Sequence, residues 1–273
     1  MNNLRDCINE YRKDGYTRVY AISKVCQDII INRIYSSQYN EKITIKGGVV
    51  MFHLTKNIRR ATIDIDIDLI NLSIATDNIV KIFIELSNLN TADNFIIKID
   101  EKKIEELSHQ DYHGKRITAE ITDKFSNNYS VKIDVGVHKH TDISQEMLLL
   151  DTNIFDKSIT FLANPKEQIF TEKLIPLLKF GILSTRYRDI FDIYWLITKG
   201  DLSKKKIIEC IQILIIDNVK GILGLDTIIE NIKIVLSDDS FIKRLSNNEN
   251  WTNEEIIDIL IVIRKFIDEL DEK

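Results

Sequence analysis

The chain has 273 residues, 44% of them hydrophobic and 29% charged, a globular balance with apolar material for one large domain or two smaller ones. No apolar run reaches the roughly 18–20 residues a membrane span needs, and the N-terminal MNNLRDCINEYRKDG lacks the apolar centre of a secretory signal. A cytoplasmic protein with no membrane partner is therefore expected. The formal net charge of −5 excludes a surface coated in positive potential, so contact with nucleic-acid phosphates would fall to a local basic cluster.

Taken in chain order, residues 1 to about 38 read as helix, with apolar spacing in VYAISKVCQDIIINRIY. A short strand KITIK, a turn at Gly47-Gly48, a short helix VVMFHLTKN and a strand TIDIDIDLI follow. Next come a helix around DNIVKIFIELSNL and three strands, NFIIKID, KRITAEIT and YSVKIDVGV. From residue 165 onward only helical periodicity appears, in KEQIFTEKLIPLLKF, RYRDIFDIYWLIT, KKKIIECIQILIID, LDTIIENIKIVL and NEEIIDILIVIRKFIDEL. Pro165 stands where a first-turn proline belongs. The expected organisation is an α/β domain over 1–162 with N-terminal helices, then a helical domain over 163–273. Cys7, Cys26 and Cys210 are odd in number and lack CxxC spacing. They predict buried, reduced thiols rather than a disulfide framework or a zinc site.

The strand TIDIDIDLI carries the chemistry. Period-2 alternation puts Ile63, Ile65, Ile67 and Leu69 on one face and Asp64, Asp66 and Asp68 on the other. Successive aspartates on that face lie about 6.5–7 Å apart, a spacing from which neighbouring carboxylates can lean toward shared Mg²⁺ or Mn²⁺ ions. A solvent-facing strand that uses charge against edge pairing gives the same pattern. Gly47-Gly48, one short helix earlier, permits close backbone approach. The amides opening that helix would meet a phosphate, although an isolated glycine pair also reads as an ordinary tight turn.

KGG followed by RATIDID resembles the signature of nucleotidyltransferases related to DNA polymerase β. More narrowly, it resembles the AbiEii/MenT-like toxin nucleotidyltransferases, in which an Arg and a Ser or Thr commonly precede the Asp pair. The match pairs Arg60, Thr62, Asp64 and Asp66 with the motif and leaves Asp68 outside it. A register shifted to Asp66 and Asp68 would lose the Arg and Thr matches. The resemblance implies an α+β fold, a polymerase β-like sheet with flanking helices followed by an all-α C-terminal part. It also implies a third carboxylate from a later strand. Asp134 in YSVKIDVGV fits, as a metal ligand or as acceptor of the proton of an attacking hydroxyl, with Asp123 and Glu120 as weaker alternatives. His138 and His140 lack a second ligand cluster and read as solvated loop residues.

In the helical part, Lys173 falls inside the apolar stripe of Ile169, Phe170, Leu174 and Leu177. Arg188, Asp189 and Asp192 share one face of the next helix, where an Arg188–Asp192 surface ion pair is the simplest reading. EKL followed by RYRDIFDIYWL also resembles the downstream motif of the AbiEii-like family. That implies a phosphate role for Lys173, a catalytic or orienting role for Asp189, and helix-holding or nucleotide contacts for Arg188 and Asp192.

The expected catalytic set is Asp64, Asp66, Asp134, Lys173 and Asp189, with Asp64, Asp66 and Asp134 as metal ligands. The nucleotide would be bound by Lys46, Gly47, Gly48, Arg60, Thr62, Lys173, Arg188 and Asp192. The resemblance implies a toxin of a toxin–antitoxin or phage-defence system that transfers NMP from an NTP to RNA, with the tRNA 3′ end best attested, and a cognate antitoxin protein. A positive groove involving Lys42, Lys46, Arg59, Arg60, Lys115 and Arg116 would favour RNA. A small closed pocket would favour a small-molecule or protein acceptor, and a decayed site a non-catalytic binding module.

Overall fold

The computed structural model of the chain describes residues 3–89, 91, 93–107, 114–155 and 158–271. Two compact units follow one another, Met1–Asn164 and Pro165–Lys273.

The first unit opens with α1 (Leu4–Lys13) and α2 (Arg18–Tyr35). The single helix expected there is interrupted at Gly15, whose φ of +98° suits glycine. Helix α2 restarts behind Thr17, whose hydroxyl accepts the Tyr20 amide. The chain continues through β1 (Ile43–Lys46), α3 (Gly47–Thr55), a 3₁₀ turn at Ile58–Arg60, β2 (Ile65–Ile70), α4 (Thr76–Ser87), β3 (Ile96–Ile99) and β4 (Glu105–Leu107). Strands β5 (Gly114–Thr122), β6 (Asn128–His138), β7 (Glu146–Leu150) and β8 (Ile159–Ala163) complete the unit. The glycine pair is the first turn of α3 rather than a separate turn before it, and β4, β7 and β8 were not expected.

The strands form one mixed sheet in the order β3-β5-β6-β2-β1-β8-β7, with β4 also paired to β5. Strands β2 and β6 run parallel at its centre, and β1 joins β2 antiparallel. Ile65, Ile67 and Leu69 of β2 and Val131, Ile133 and Val135 of β6 are buried as expected. Ile63 is 47% exposed, because the chain joins the sheet only at Ile65.

Helix α2 is the central helix of this unit and is buried almost all round. Its polar side chains therefore need partners. Asp28 receives Lys24, the Tyr11 hydroxyl and the Thr152 hydroxyl. Arg33 pairs with Asp93 at 2.7 Å, and Gln27 donates to the Thr62 carbonyl at 2.9 Å.

The second unit is helical throughout its described residues: α5 (Lys166–Phe180), α6 (Tyr187–Lys199), α7 (Lys204–Ile211) running into a π-helical turn at Gln212–Ile216, α8 (Leu225–Ser237), α9 (Asp239–Ser246) and α10 (Ile256–Asp268). Helix α9 was not expected. It is short, and Asp238 caps its Phe241 amide at 2.8 Å. No described helix is long and apolar enough to cross a membrane. All three cysteines are buried and free. Burial pushes the thiols up, Cys7 to about 11 and Cys26 and Cys210 to about 12, which keeps them protonated and inert.

Candidate active site

Sheet register builds the centre of the site. Lys46 on β1 stands opposite Asp66 on β2, Asp66 opposite Asp134 on β6, and Asp134 opposite Arg116 on β5. One row across four strands thus reads cation, carboxylate, carboxylate, cation on one face. Cross-strand neighbours in such a row are about 4.7–4.9 Å apart along the backbone. Like charges directly opposite are destabilising, so two adjacent carboxylates carry a cost that the flanking cations offset only in part. Asp64 lies two residues before Asp66, in the bend ahead of β2 rather than in the strand.

Burial pushes the Asp66 carboxyl above the ordinary aspartate range. Lys46 opposes that shift, and the charges of Asp134, Asp64 and Asp68 add to it. The Lys46 ammonium itself pairs with Asp68 at 2.7 Å. Asp68, outside the motif, is therefore the buried counter-ion of the lysine that opens KGG. Asp134 is held by Arg116 through two hydrogen bonds, Nε to Oδ1 at 2.7 Å and Nη2 to Oδ2 at 2.8 Å. That bond to Asp134 raises the guanidinium further above its ordinary value.

The glycines are fixed by this cluster. Gly47 has φ +63°, and a Cβ there would lie 2.2 Å from Oδ2 of Asp66. A Cβ on Gly48 would lie 2.7 Å from Oγ1 of Thr62. The start of α3 is thus pressed against the residues that open the acidic strand. Gly47→Ala is expected to strain the backbone by about 1–2 kcal/mol and to displace the Asp66 carboxylate. A shift of about 1 Å in a reacting group can cost on the order of 100-fold in rate, so activity should fall by at least that. Denaturant unfolding beside a turnover assay checks both parts.

Among the described residues, no three His, Cys, Asp or Glu side chains converge as a preformed metal cage. The donor set still suits a hard divalent ion. Mg²⁺ is typically held by one or two carboxylates and substrate phosphates rather than by an all-protein cage. A carboxylate also has about four lone-pair sites, so Asp134 can keep Arg116 and offer an oxygen elsewhere. Asp64, Asp66 and Asp134 are the side chains here that could hold such ions.

Other expectations are corrected. Asp123 is a turn residue whose carboxylate accepts backbone amides of Leu4, Phe125 and Asn127. Glu120 is exposed on β5. His138 ends β6 and is buried, which lowers its imidazole pKa; it is not a solvated loop residue. Of the basic residues whose groove would favour RNA, Lys115 pairs with Glu106, Arg116 with Asp134 and Lys46 with Asp68. Arg60 is buried in the 3₁₀ turn, while Lys42 and Arg59 are exposed.

The remaining candidates lie in the second unit. Lys173 on α5 is buried and pairs with Asp189 and Asp192 of α6, each at 2.7 Å. Arg186 also pairs with Asp189, at 2.9 Å. Asp189 and Asp192 are buried, so Asp192 is not a surface residue as expected but pairs internally with Lys173. Arg188 is half-buried on the same helix.

Arg116 was not recognised as the partner of Asp134, yet the signal was present. Around the DKFSNN turn, each β5 residue lies as far before Phe125 as its β6 partner lies after it. Counting outward from that turn brings Arg116 opposite Asp134. Gln27 was hidden because nothing in its own helix signals what lies across from it.

The family that the chain matches is one of nucleotidyltransferases. The family model described as "Nucleotidyl transferase AbiEii toxin, Type IV TA system" matches residues 29–254. The chain belongs to this family of toxin–antitoxin nucleotidyltransferases. Among solved structures, an antigenic nucleotidyltransferase-like protein from Paracoccidioides brasiliensis matches with 17% identity and a TM-score of 0.40, covering 66% of this chain and 75% of that one. Comparison with curated proteins gives no match.

Proposed function

We propose that the protein is a metal-dependent, cytoplasmic nucleotidyltransferase toxin that moves NMP from an NTP to an RNA acceptor, the tRNA 3′ end, releasing pyrophosphate in the setting of phage defence. The observation that carries this reading is the row Lys46–Asp66–Asp134–Arg116 with Gly47 pressed against Asp66. Half-buried carboxylates crowded together are disfavoured as charged groups in the bare protein. Divalent ions held by Asp64, Asp66 and Asp134 would relieve that crowding and supply charge stabilisation for an in-line displacement at the α-phosphate.

The chain's own groups divide the remaining work. The backbone amides at Gly47 and Gly48 open α3 toward the phosphates. Asp134 would take the proton of the attacking hydroxyl, and Arg116 holds that carboxylate in one orientation. Lys46 balances the acidic row through Asp68, and Thr62 and Arg60 shape the segment that leads into it. Lys173, Asp189, Arg188 and Asp192 would contact or orient the nucleotide, a role supported by the family motif. A cognate antitoxin follows from the toxin–antitoxin family.

One observation favours a second reading of the acceptor. Lys46, Lys115 and Arg116 are each engaged by a carboxylate, which leaves less free positive charge for an RNA backbone and suits a small molecule or a protein. Incubation with Mg²⁺, each α-³²P-labelled NTP and total RNA, beside an Asp64→Ala control, separates the two. Label in tRNA-sized RNA with one NTP, lost in the control, is the expected result. Label in protein or a small molecule would keep the enzyme and replace the acceptor. No label at all would contradict the proposed reaction.

A further inference from the structure

The geometry points to Gln27 as a positioning residue that fixes the Asp64 bend from helix α2. The ladder between β2 and β6 begins at Ile65, so the carbonyls of Thr62, Ile63 and Asp64 precede it. The Gln27 amide nitrogen donates to the Thr62 carbonyl at 2.9 Å and lies 3.3 Å and 3.5 Å from those of Ile63 and Asp64. Only the NH₂ end of the side chain suits three carbonyl oxygens, which also settles its orientation. Gln27 is buried, and its amide substitutes for the strand partner that this bend lacks.

The bracket is itself anchored. Asp28, the next residue, is locked by Lys24, Tyr11 and the Thr152 hydroxyl, and α2 packs against β6 and β8. The rotation of α2 about its axis is therefore fixed where Gln27 projects. From the other side, the Thr62 side chain abuts Gly48. Residues 62–64 are thus held between a buried amide and the start of α3. The family match begins at residue 29, so Gln27 lies in the part of this chain that precedes the family's shared region.

The inference rests on the reading that Asp64 helps to hold divalent ions, and the test separates the two. Mn²⁺ is titrated into the metal-free protein and followed by electron paramagnetic resonance, for wild type, Asp64→Asn, Gln27→Met and Gln27→Lys. Methionine keeps the side-chain length without a donor, whereas lysine keeps a donor. Loss of a residue that orients a ligand typically costs about 10–100-fold in metal affinity. Gln27→Met is expected to weaken Mn²⁺ binding by at least about 10-fold, and Gln27→Lys to stay close to wild type. Hydrogen exchange at residues 62–66 should quicken only in the methionine variant. Should Gln27→Met fail to fold, Gln27→Leu, neutral and without a donor, takes its place. Unchanged Mn²⁺ affinity in the donor-less variant, or equal loss in Gln27→Lys, would overturn the positioning role alone. No Mn²⁺ binding by wild type either alone or with an NTP whose α-phosphate bond resists cleavage, or full binding by Asp64→Asn, would overturn the metal reading of Asp64 and this inference with it.

Discussion

Asp66→Asn is expected to abolish nucleotide transfer while making the metal-free protein more stable. The activity loss should be on the order of 10³-fold, the scale for removing one electrostatic group aimed at the reacting centre. The gain in stability follows from burial first and crowding second. Burial pushes the Asp66 carboxyl up, Lys46 only partly opposes it, and Asp134, Asp64 and Asp68 add like charge. Its folded pKa therefore lies above the ordinary aspartate value of 3.8. The folded state then binds more protons than the unfolded chain, so stability falls as pH rises through that window. Asparagine removes the charge, so its advantage should be absent below about pH 4 and grow as pH rises through the folded value. Each 1 kcal/mol relieved is worth about 2–4 °C in a unit of 150–250 residues. Melting curves in EDTA across pH check this. A lower melting temperature than wild type at pH 7 would show that the acidic row is not repulsive. Added Mg²⁺ should raise the wild-type melting temperature and leave the variant nearly unmoved.

Lys173→Met should cost the helical unit about 3–5 kcal/mol, the penalty for breaking a buried ion pair from one side. Methionine replaces most of the lysine stem, so lost packing contributes little. What remains is Asp192, fully buried, and Asp189, 7% exposed, without the ammonium that touched both. The pH dependence carries a sharper signature. In the wild type, burial alone would raise the Asp189 carboxyl, but Lys173 and Arg186 outweigh it and hold the pKa below 3.8. That stability is present above pH 3.8 and lost as pH falls through the folded value. Without Lys173 the burial effect gains weight and the folded pKa moves upward. The deficit of Lys173→Met should therefore be greatest at neutral pH and shrink on acidification. Urea unfolding of both proteins at several pH values measures it. A loss below about 1 kcal/mol would place the pair among solvated surface salt bridges.

Much of the fold was legible because periodicity carries it. Helix α5 was expected over residues 166–181 and spans Lys166–Phe180, with Pro165 at its start. Strands β2 and β6 were visible as alternating isoleucine and aspartate or valine. Strands β7 and β8 escaped because EMLLL and ITFLA are short apolar runs that only their sheet neighbours define. Helix α9 is eight residues long, too short for a clear stripe. Within the candidate site, motif and strand pattern picked out the residues but not their partners. Whether Lys46 reaches Asp66 or Asp68, and whether Asp134 stands alone or with Arg116, depends on strand order and register. Burial of the ion pairs around Lys173 was half visible: a lysine in an apolar stripe needs a partner, and α6 supplies two.

The most direct test is diffraction at the manganese absorption edge from crystals grown with Mn²⁺ and an NTP whose α-phosphate bond resists cleavage. Anomalous peaks at coordination distance from the Asp64 and Asp66 carboxylates, with the triphosphate against Gly47 and Gly48, are the expected result. Bound nucleotide with manganese elsewhere, or with no anomalous peak near Asp66, would contradict the metal-dependent transferase site built on this row.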